Sequence, residues 1–222
     1  MDWTALGVSL RLAIATIVLL LPLGVWLGRL LAAREFRGKL FVEMLVTVPL
    51  VLPPSVLGFY LLSVFGGRSW IGEMFERLIG HTLTFSFEGL LLASVIVNVP
   101  FVVQPIQRGF EAIPTDIIAA ASCCGLTPFQ RFLRIELPLA WASILTAAIL
   151  TFAHTLGEFG VVLMVGGNLP GRTRTLSIAI YDRMQAFDDR SAGVMAATLL
   201  VIAVATLMTT TALARKVGVR RG

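Results

Sequence analysis

Five apolar runs, each about long enough to cross a membrane, dominate this 222-residue chain. A spanning helix needs roughly 20 predominantly apolar residues. Such runs lie near 6–31, 40–65, 89–108, 139–166 and 191–214. In lipid every backbone N–H and C=O must be satisfied within the chain, so runs of this length fold as helices. Composition agrees: 57% of residues are hydrophobic and 14% charged, with a mean hydropathy of +0.88. An apolar excess of that size faces lipid rather than water. The expected fold is an all-α, polytopic transmembrane helix bundle of about five spans, in a single domain over 1–222 with no internal repeat. The first run, Leu6 to Leu31, has no basic region ahead of it and is too long for a signal-peptide core, so it reads as a span.

The 18 basic and 13 acidic residues give a net charge of +5. These charges sit in short clusters between apolar runs, a pattern that reports membrane orientation and not nucleic-acid binding. One side receives Arg29, Arg34, Arg37, Lys39, Arg108, Arg131, Arg134, Arg215, Lys216, Arg220 and Arg221. The other receives Arg68, Arg77, Arg172, Arg174, Arg183 and Arg190, with Arg11 near that face. The first set holds both lysines and the basic tail, which places it in the cytoplasm, with the N-terminus outside and the C-terminus inside.

Catalytic chemistry finds no footing. The chain has two histidines, His81 and His154, and no phosphate-binding G-x-x-x-x-G-K-[ST]. No nucleophile–base pair or metal-ligand cluster is spaced for use. The expectation is a non-enzyme with no cofactor and no metal. Adjacent Cys123 and Cys124 form neither an unstrained disulfide nor a metal site, and read as reduced, buried small residues.

The second run carries Pro49, Pro53 and Pro54. Proline removes a backbone donor and clashes with the preceding turn, so this span must kink or break. Pro53 and Pro54 are therefore candidates for the wall of a pore, and a purely structural kink is the alternative. In the fourth run Thr151, His154, Thr155 and Glu158 stand at i, i+3, i+4 and i+7, one helical face. Ionisable groups at membrane depth face the bundle interior. The stripe lines a pore, or it is a helix contact in which Glu158 is satisfied by an arginine or by backbone donors. Asn98, mid-span, reads as interhelical glue. Between spans, 66–88 places Trp70, Phe75, Phe85 and Phe87 as an aromatic belt, with His81 solvated. The arginines Arg172, Arg174 and Arg183 either meet an external protein partner or pair with Asp182, Asp188 and Asp189.

Residues 109–138 form the longest stretch on the basic side. One short helix runs from about Pro114 to Gly125, a favoured helix end. Thr127 then caps a second helix, with Pro128 at its first position, and Pro138 ends it before the next span. Small residues, Ala119, Ala120, Ala121 and Ser122, line one side and Phe129, Phe132 and Leu133 the other. Either a protein presses against this element, or it is an amphipathic connector on the lipid surface.

The spacing Ala120-Ala121, Gly125, Ile135-x-Leu137-Pro138 resembles the signature loop of binding-protein-dependent ABC importer permeases. Ala119 stands where that family usually has glutamate. The stretch Leu156–Gln185, with LGEFG and GNLPGRTRTL, and the proline run Pro49–Leu62 are similar to the molybdate branch. The resemblance implies a type I importer fold in the bacterial inner membrane, working as a homodimer. Two ABC ATPase subunits inside and a periplasmic oxyanion-binding protein outside would complete it. It implies that Ala119, Ala120, Ala121, Gly125, Ile135, Leu137 and Pro138 form the ATPase-coupling loop, within about 109–138. The substrate it implies is molybdate or tungstate, with sulfate or thiosulfate the neighbouring alternative. A secondary transporter or channel would instead show ion-coupling residues and an inverted repeat.

Overall fold

The computed structural model describes the backbone of residues 1–219 and side chains through 209. The tail cluster Arg215, Lys216, Arg220 and Arg221 thus lies outside the described residues or their described side chains. Helix α1 (Trp3–Ala33) is capped by Asp2, whose carboxylate accepts from the Ala5 N–H. Helices α2 (Lys39–Val51) and α3 (Pro54–Phe65) form one pair bent by 111°. The short α4 (Trp70–Ile79) precedes the long α5 (Phe87–Glu111). Helix α6 (Thr115–Cys123) leads to α7 (Pro128–Arg131), a π-helical turn (Phe132–Glu136) and α8 (Leu137–Gly157). Then come α9 (Gly160–Gly166), α10 (Leu176–Gln185) and α11 (Asp189–Val219). Among the described residues there are four helices long and apolar enough to span, and the bent pair makes five.

Helix α5 is the central post: it packs on α1, α2, α3, α8 and α9. Its closest neighbour is α1, and the reason lies in two glycines one turn apart, Gly24 and Gly28. A Cβ on Gly24 would sit 2.1 Å from Val102 Cγ1, and one on Gly28 would sit 3.0 Å from the Gln107 backbone nitrogen. Bare backbone at i and i+4 lets two membrane helices approach where lipid provides no hydrophobic drive. Leu20, Val102, Ile106, Ala140, Ile144 and Ala147 fill the resulting α1–α5–α8 core. The G-x-x-x-G spacing was visible in the sequence and would have identified this contact.

Four expectations change. The fourth span stops at Gly157, and 160–166 is a separate helix. Pro138 does not interrupt the chain: helix runs unbroken from Pro128 to Gly157. The π turn accounts for this, because Leu137 bonds to Phe132 five residues back. The wider turn accommodates a proline ring that would clash in a regular helix. Cys123 and Cys124 are free but exposed, not buried. Of the expected aromatic belt, Trp70 and Phe85 are exposed, but Phe75 packs into the core of α3, α5 and α9 and Phe87 lies under Arg11.

Overpacking a tight contact costs about 1–3 kcal/mol. Gly24→Leu is expected to lower the melting temperature of the detergent-purified protein by several degrees. Gly7→Leu, where an added Cβ meets nothing within 4 Å, is the size-matched control and should melt like the wild type. Equal melting of both variants would contradict the close α1–α5 contact.

Candidate functional site

The break in the second span follows directly from its prolines. Leu52 is extended (ψ 135°), as a residue before proline must be, and Pro54 takes the first helical position of α3, where no N–H is needed. With prolines at 53 and 54, the carbonyls of Pro49 and Leu50 have no N–H to accept from four residues on. These two residues line a cavity of about 170 Å³ with Leu52, Pro54 and Leu57. Val97 and Phe101 of α5, His154 of α8, Glu158 and Val161 form its other walls. Two features far apart in sequence, the broken span and the ionisable pair, thus share one cleft. Pro53 forms the corner of the break.

His154 stacks on Phe101 with ring centroids 4.1 Å apart. Its Nδ1 lies 3.1 Å from Asn98 Oδ1 and its Nε2 lies 3.8 Å from Glu158 Oε2. Glu158 is not on the same helical stripe: its extended backbone ends α8. Its carboxylate accepts from the Val161 N–H at 3.0 Å, at the start of α9, and its carbonyl accepts from Ser177 Oγ at 2.7 Å. One backbone N–H therefore holds the carboxylate and His154 faces its other oxygen, with no arginine paired to it among the described residues. Asn98 donates to Ser94 O at 2.8 Å and to Thr155 Oγ1 at 3.1 Å, and Thr16 Oγ1 donates to Ser94 Oγ at 2.9 Å. This buried chain ties α1, α5 and α8 behind the cleft, as glue. Thr155 belongs to it. Thr151 is buried with no hydrogen-bond partner for its hydroxyl among the described residues, and neither threonine lines the cleft.

A second cavity, about 300 Å³, lies between α2 and α5. Glu43, Val46 and Thr47 line one side and Gln104, Gln107, Arg108 and Glu111 the other. Gln107 bridges the two carboxylates, donating to Glu43 and to Glu111 at 2.9 Å each. On α5, Val97, Phe101, Gln104, Arg108 and Glu111 recur at i+4 and i+3 steps, which is one helix face. The two cavities therefore lie in series along that face, beside the broken span. Sequence reading missed Gln104, Gln107 and Glu43, although polar residues recurring at helical spacing in an apolar run are the signal for such a face.

The 109–138 segment ends its first helix in a Schellman motif. Gly125 adopts φ +76°, its N–H bonds to Ser122 O, and the Leu126 N–H bonds to Ala121 O. Thr127 and Gln130 then form a reciprocal capping box. Ala121 is buried, whereas Ala119, Ala120 and Gly125 are exposed. Phe129 (69% exposed) and Leu133 (45%) stand out beside them, and Ile135 and Leu137 are half-buried. Pro138 is exposed on the outer wall of the continuous helix.

At the opposite end the arginines separate. Arg174 pairs with Asp182 at 3.6 Å and donates to Asn168, and Arg183 pairs with Asp188 at 3.5 Å. Hydrogen bonds from Ser191 hold the Asp188 carboxyl below the ordinary aspartate range, with help from Arg183. Arg172 has no ion pair among the described residues, and lines a pocket with Arg11, His81 and Glu88.

Residues 10–217 match the family described as binding-protein-dependent transport system inner membrane component. The chain belongs to this family. It is 46% identical to the molybdenum transport system permease protein ModB of Azotobacter vinelandii, over 84% of this chain and 83% of that one. It is 34% identical to the Escherichia coli K12 protein of the same name, over 93% and 89%. A probable sulfate transport system permease from Chlorella vulgaris is 34% identical over 80% of this chain and 66% of that one. The fold is similar to a bacterial alginate ABC transporter (TM-score 0.78, 14% identity, 96% and 78% covered). It is also similar to the MetNI methionine transporter (TM-score 0.71, 19% identity, 97% and 94% covered). The chain is thus a multi-pass permease of the inner membrane with a type I importer fold.

Hydrogen bonds between membrane helices contribute about 0.6–2 kcal/mol each. Asn98→Ala removes the partner of both Thr155 and His154. It is expected to destabilise this permease by about 1–3 kcal/mol, read as earlier thermal unfolding in detergent. Unchanged unfolding would show that the buried chain does not hold the cleft.

Proposed function

We propose that this permease is half of a homodimeric, ATP-driven importer that carries molybdate into a bacterium. The observation that carries the reading is the pair of cavities in series along one face of α5, flanked by the broken span. Relatives named for molybdenum transport match it over most of both chains, whereas the sulfate relative is covered over less of its own length, and these likenesses support molybdate as substrate. Tungstate, of the same shape and charge, would follow the same route.

The lining suits passage and not capture. Glu158, Glu43 and Glu111 present three carboxylates along the route against the guanidinium of Arg108, and like charges raise the energy of a dianion there. A path that holds its ion weakly releases it readily, so selection belongs to a periplasmic oxyanion-binding protein docked on the arginine-bearing face. Arg172, without an ion pair among the described residues, is the strongest contact candidate there, and Arg174 and Arg183 sit within their own ion pairs. On the other face, the exposed Ala119, Ala120, Phe129 and Leu133 offer a shaped apolar surface to an ABC ATPase, so the 109–138 segment acts as the coupling loop. Two ATPase subunits close on ATP, carry that loop with them, and shift the dimer between inward- and outward-facing states. Their binding energy supplies the differential stabilisation that such a shift requires. In this reading the N-terminus is periplasmic and the C-terminus cytoplasmic.

The test is ATPase activity of the complex reconstituted in lipid with its binding protein empty, or loaded with molybdate or sulfate. Molybdate loading is expected to stimulate hydrolysis and sulfate loading is not. Gly125→Val forces a branched residue into left-handed backbone at a cost of roughly 1–2 kcal/mol. It should cut the stimulation about tenfold or more. Stimulation by sulfate alone would discard molybdate, and ion movement by the chain without any ATPase would discard the importer.

A further inference from the structure

We infer that Glu136 is the positioning residue through which the 109–138 segment moves α1, an inference that rests on the importer reading above. Glu136 is 5% exposed and its two carboxylate oxygens are each taken by a different arginine. Arg29 Nε, from the last part of α1, donates to Oε2, and Arg131 Nε, from α7, donates to Oε1 at 2.8 Å. Arg131 reaches on to α6, where its NH1 donates to Ser122 Oγ at 3.1 Å. The Arg29 guanidinium also lies 4.8 Å over the Phe132 ring. A single line of charge-assisted contacts therefore runs from α6 through Arg131 and Glu136 to α1.

The π turn makes this line possible. Residues five apart on an α-helix point roughly 140° away from each other, so Arg131 and Glu136 would diverge. An i to i+5 turn closes one circuit and brings them to the same side, and Phe132–Glu136 is that turn. The extra residue that accommodates Pro138 thus also assembles the clamp.

Glu136 is buried but Arg29 and Arg131 are partly exposed, and such a triad is a poor stabiliser, since desolvation of the carboxylate offsets much of the attraction. It is strongly directional, however, because the carboxylate has one oxygen for each guanidinium. What it links matters more. Helix α1 packs along α5 through Gly24 and Gly28 and reaches the opposite face, where Ser9 accepts from the Leu176 N–H at 2.8 Å. A displacement of α6 delivered to Arg29 is delivered to a 31-residue helix that crosses the bundle.

The test uses the full complex with its ATPase and molybdate-loaded binding protein in vesicles, and reads ions accumulated per ATP hydrolysed. In Glu136→Gln this ratio is expected to fall about tenfold or more, with hydrolysis kept near the wild-type rate and the complex intact. Arg29→Lys keeps the charge but not the Nε donor or the planar group over Phe132, and should show the same loss. Glu136→Asp, which keeps the carboxylate, should recover part of the ratio. A second readout needs no transport. With Cys124→Ser, spin labels at Cys123 and at Trp26→Cys report the α6–α1 distance. That distance should be the same with and without ATP in the wild type and should change with ATP in Glu136→Gln. A wild-type ratio in both Glu136→Gln and Arg29→Lys, with label distances that behave alike, would overturn the inference while leaving the importer standing. A wild-type complex that hydrolyses ATP and moves no ion would overturn the importer and this inference with it.

Discussion

Lipid offers no partner to a backbone N–H or C=O, and the bundle is arranged around the span whose helix breaks, Lys39–Val51 with Pro54–Phe65. Pro53 and Pro54 strip the donors from the carbonyls of Pro49 and Leu50, so the break cannot face hydrocarbon. One side of it meets a cavity walled by α3, α5, α9 and the end of α8, while Leu50 and Val51 remain exposed on the other. Glu158 ends α8, its carboxylate accepts the Val161 N–H, and α9 packs against α3 beneath the break. A kink that sequence alone leaves open as a mere bend is therefore the wall of a largely apolar cleft that holds His154 and Glu158.

Around that cleft the packing is close and specific. The α1–α5 contact depends on glycines whose replacement would drive side chains into Val102 and Ile106. The Thr16–Ser94–Asn98–Thr155 chain fixes the register of three helices without placing a charge in the core. Rigid-body tilting of such a block, rather than local rearrangement, is what a permease needs to change which face its cavity opens to. The charged clamp at Glu136 lies where that block meets the segment that a partner would move.

The number of spans, their helical nature and the position of the break were legible because apolar run length and proline chemistry act locally. The Gly125 turn and the Thr127 cap were legible for the same reason, and both appear where their residue types demand. The fourth span was drawn too long because Gly157 and Glu158 break the helix within a run that stays apolar through Gly166, so hydropathy carried no signal. Pro138 was read as a stop because a π turn has no sequence signature that outweighs a proline. Glu136 was missed for a related reason: its partners, Arg29 and Arg131, are 107 and 5 residues away, and neither separation places charges side by side on an α-helix. The cysteines were assigned to the interior from residue type, but α6 has only one buried residue, Ala121, and leaves both outside.

The central claim, that the cavity beside the broken span is a passage that opens alternately to each face, is tested most directly by thiol labelling. With Cys123 and Cys124 changed to serine, a cysteine placed at Leu50 would be treated with a charged, membrane-impermeant reagent added to one side at a time. The account predicts labelling from one side in the nucleotide-free complex and from the other in the ATP-bound complex. Labelling from neither side, or from the same side in both states, would contradict it.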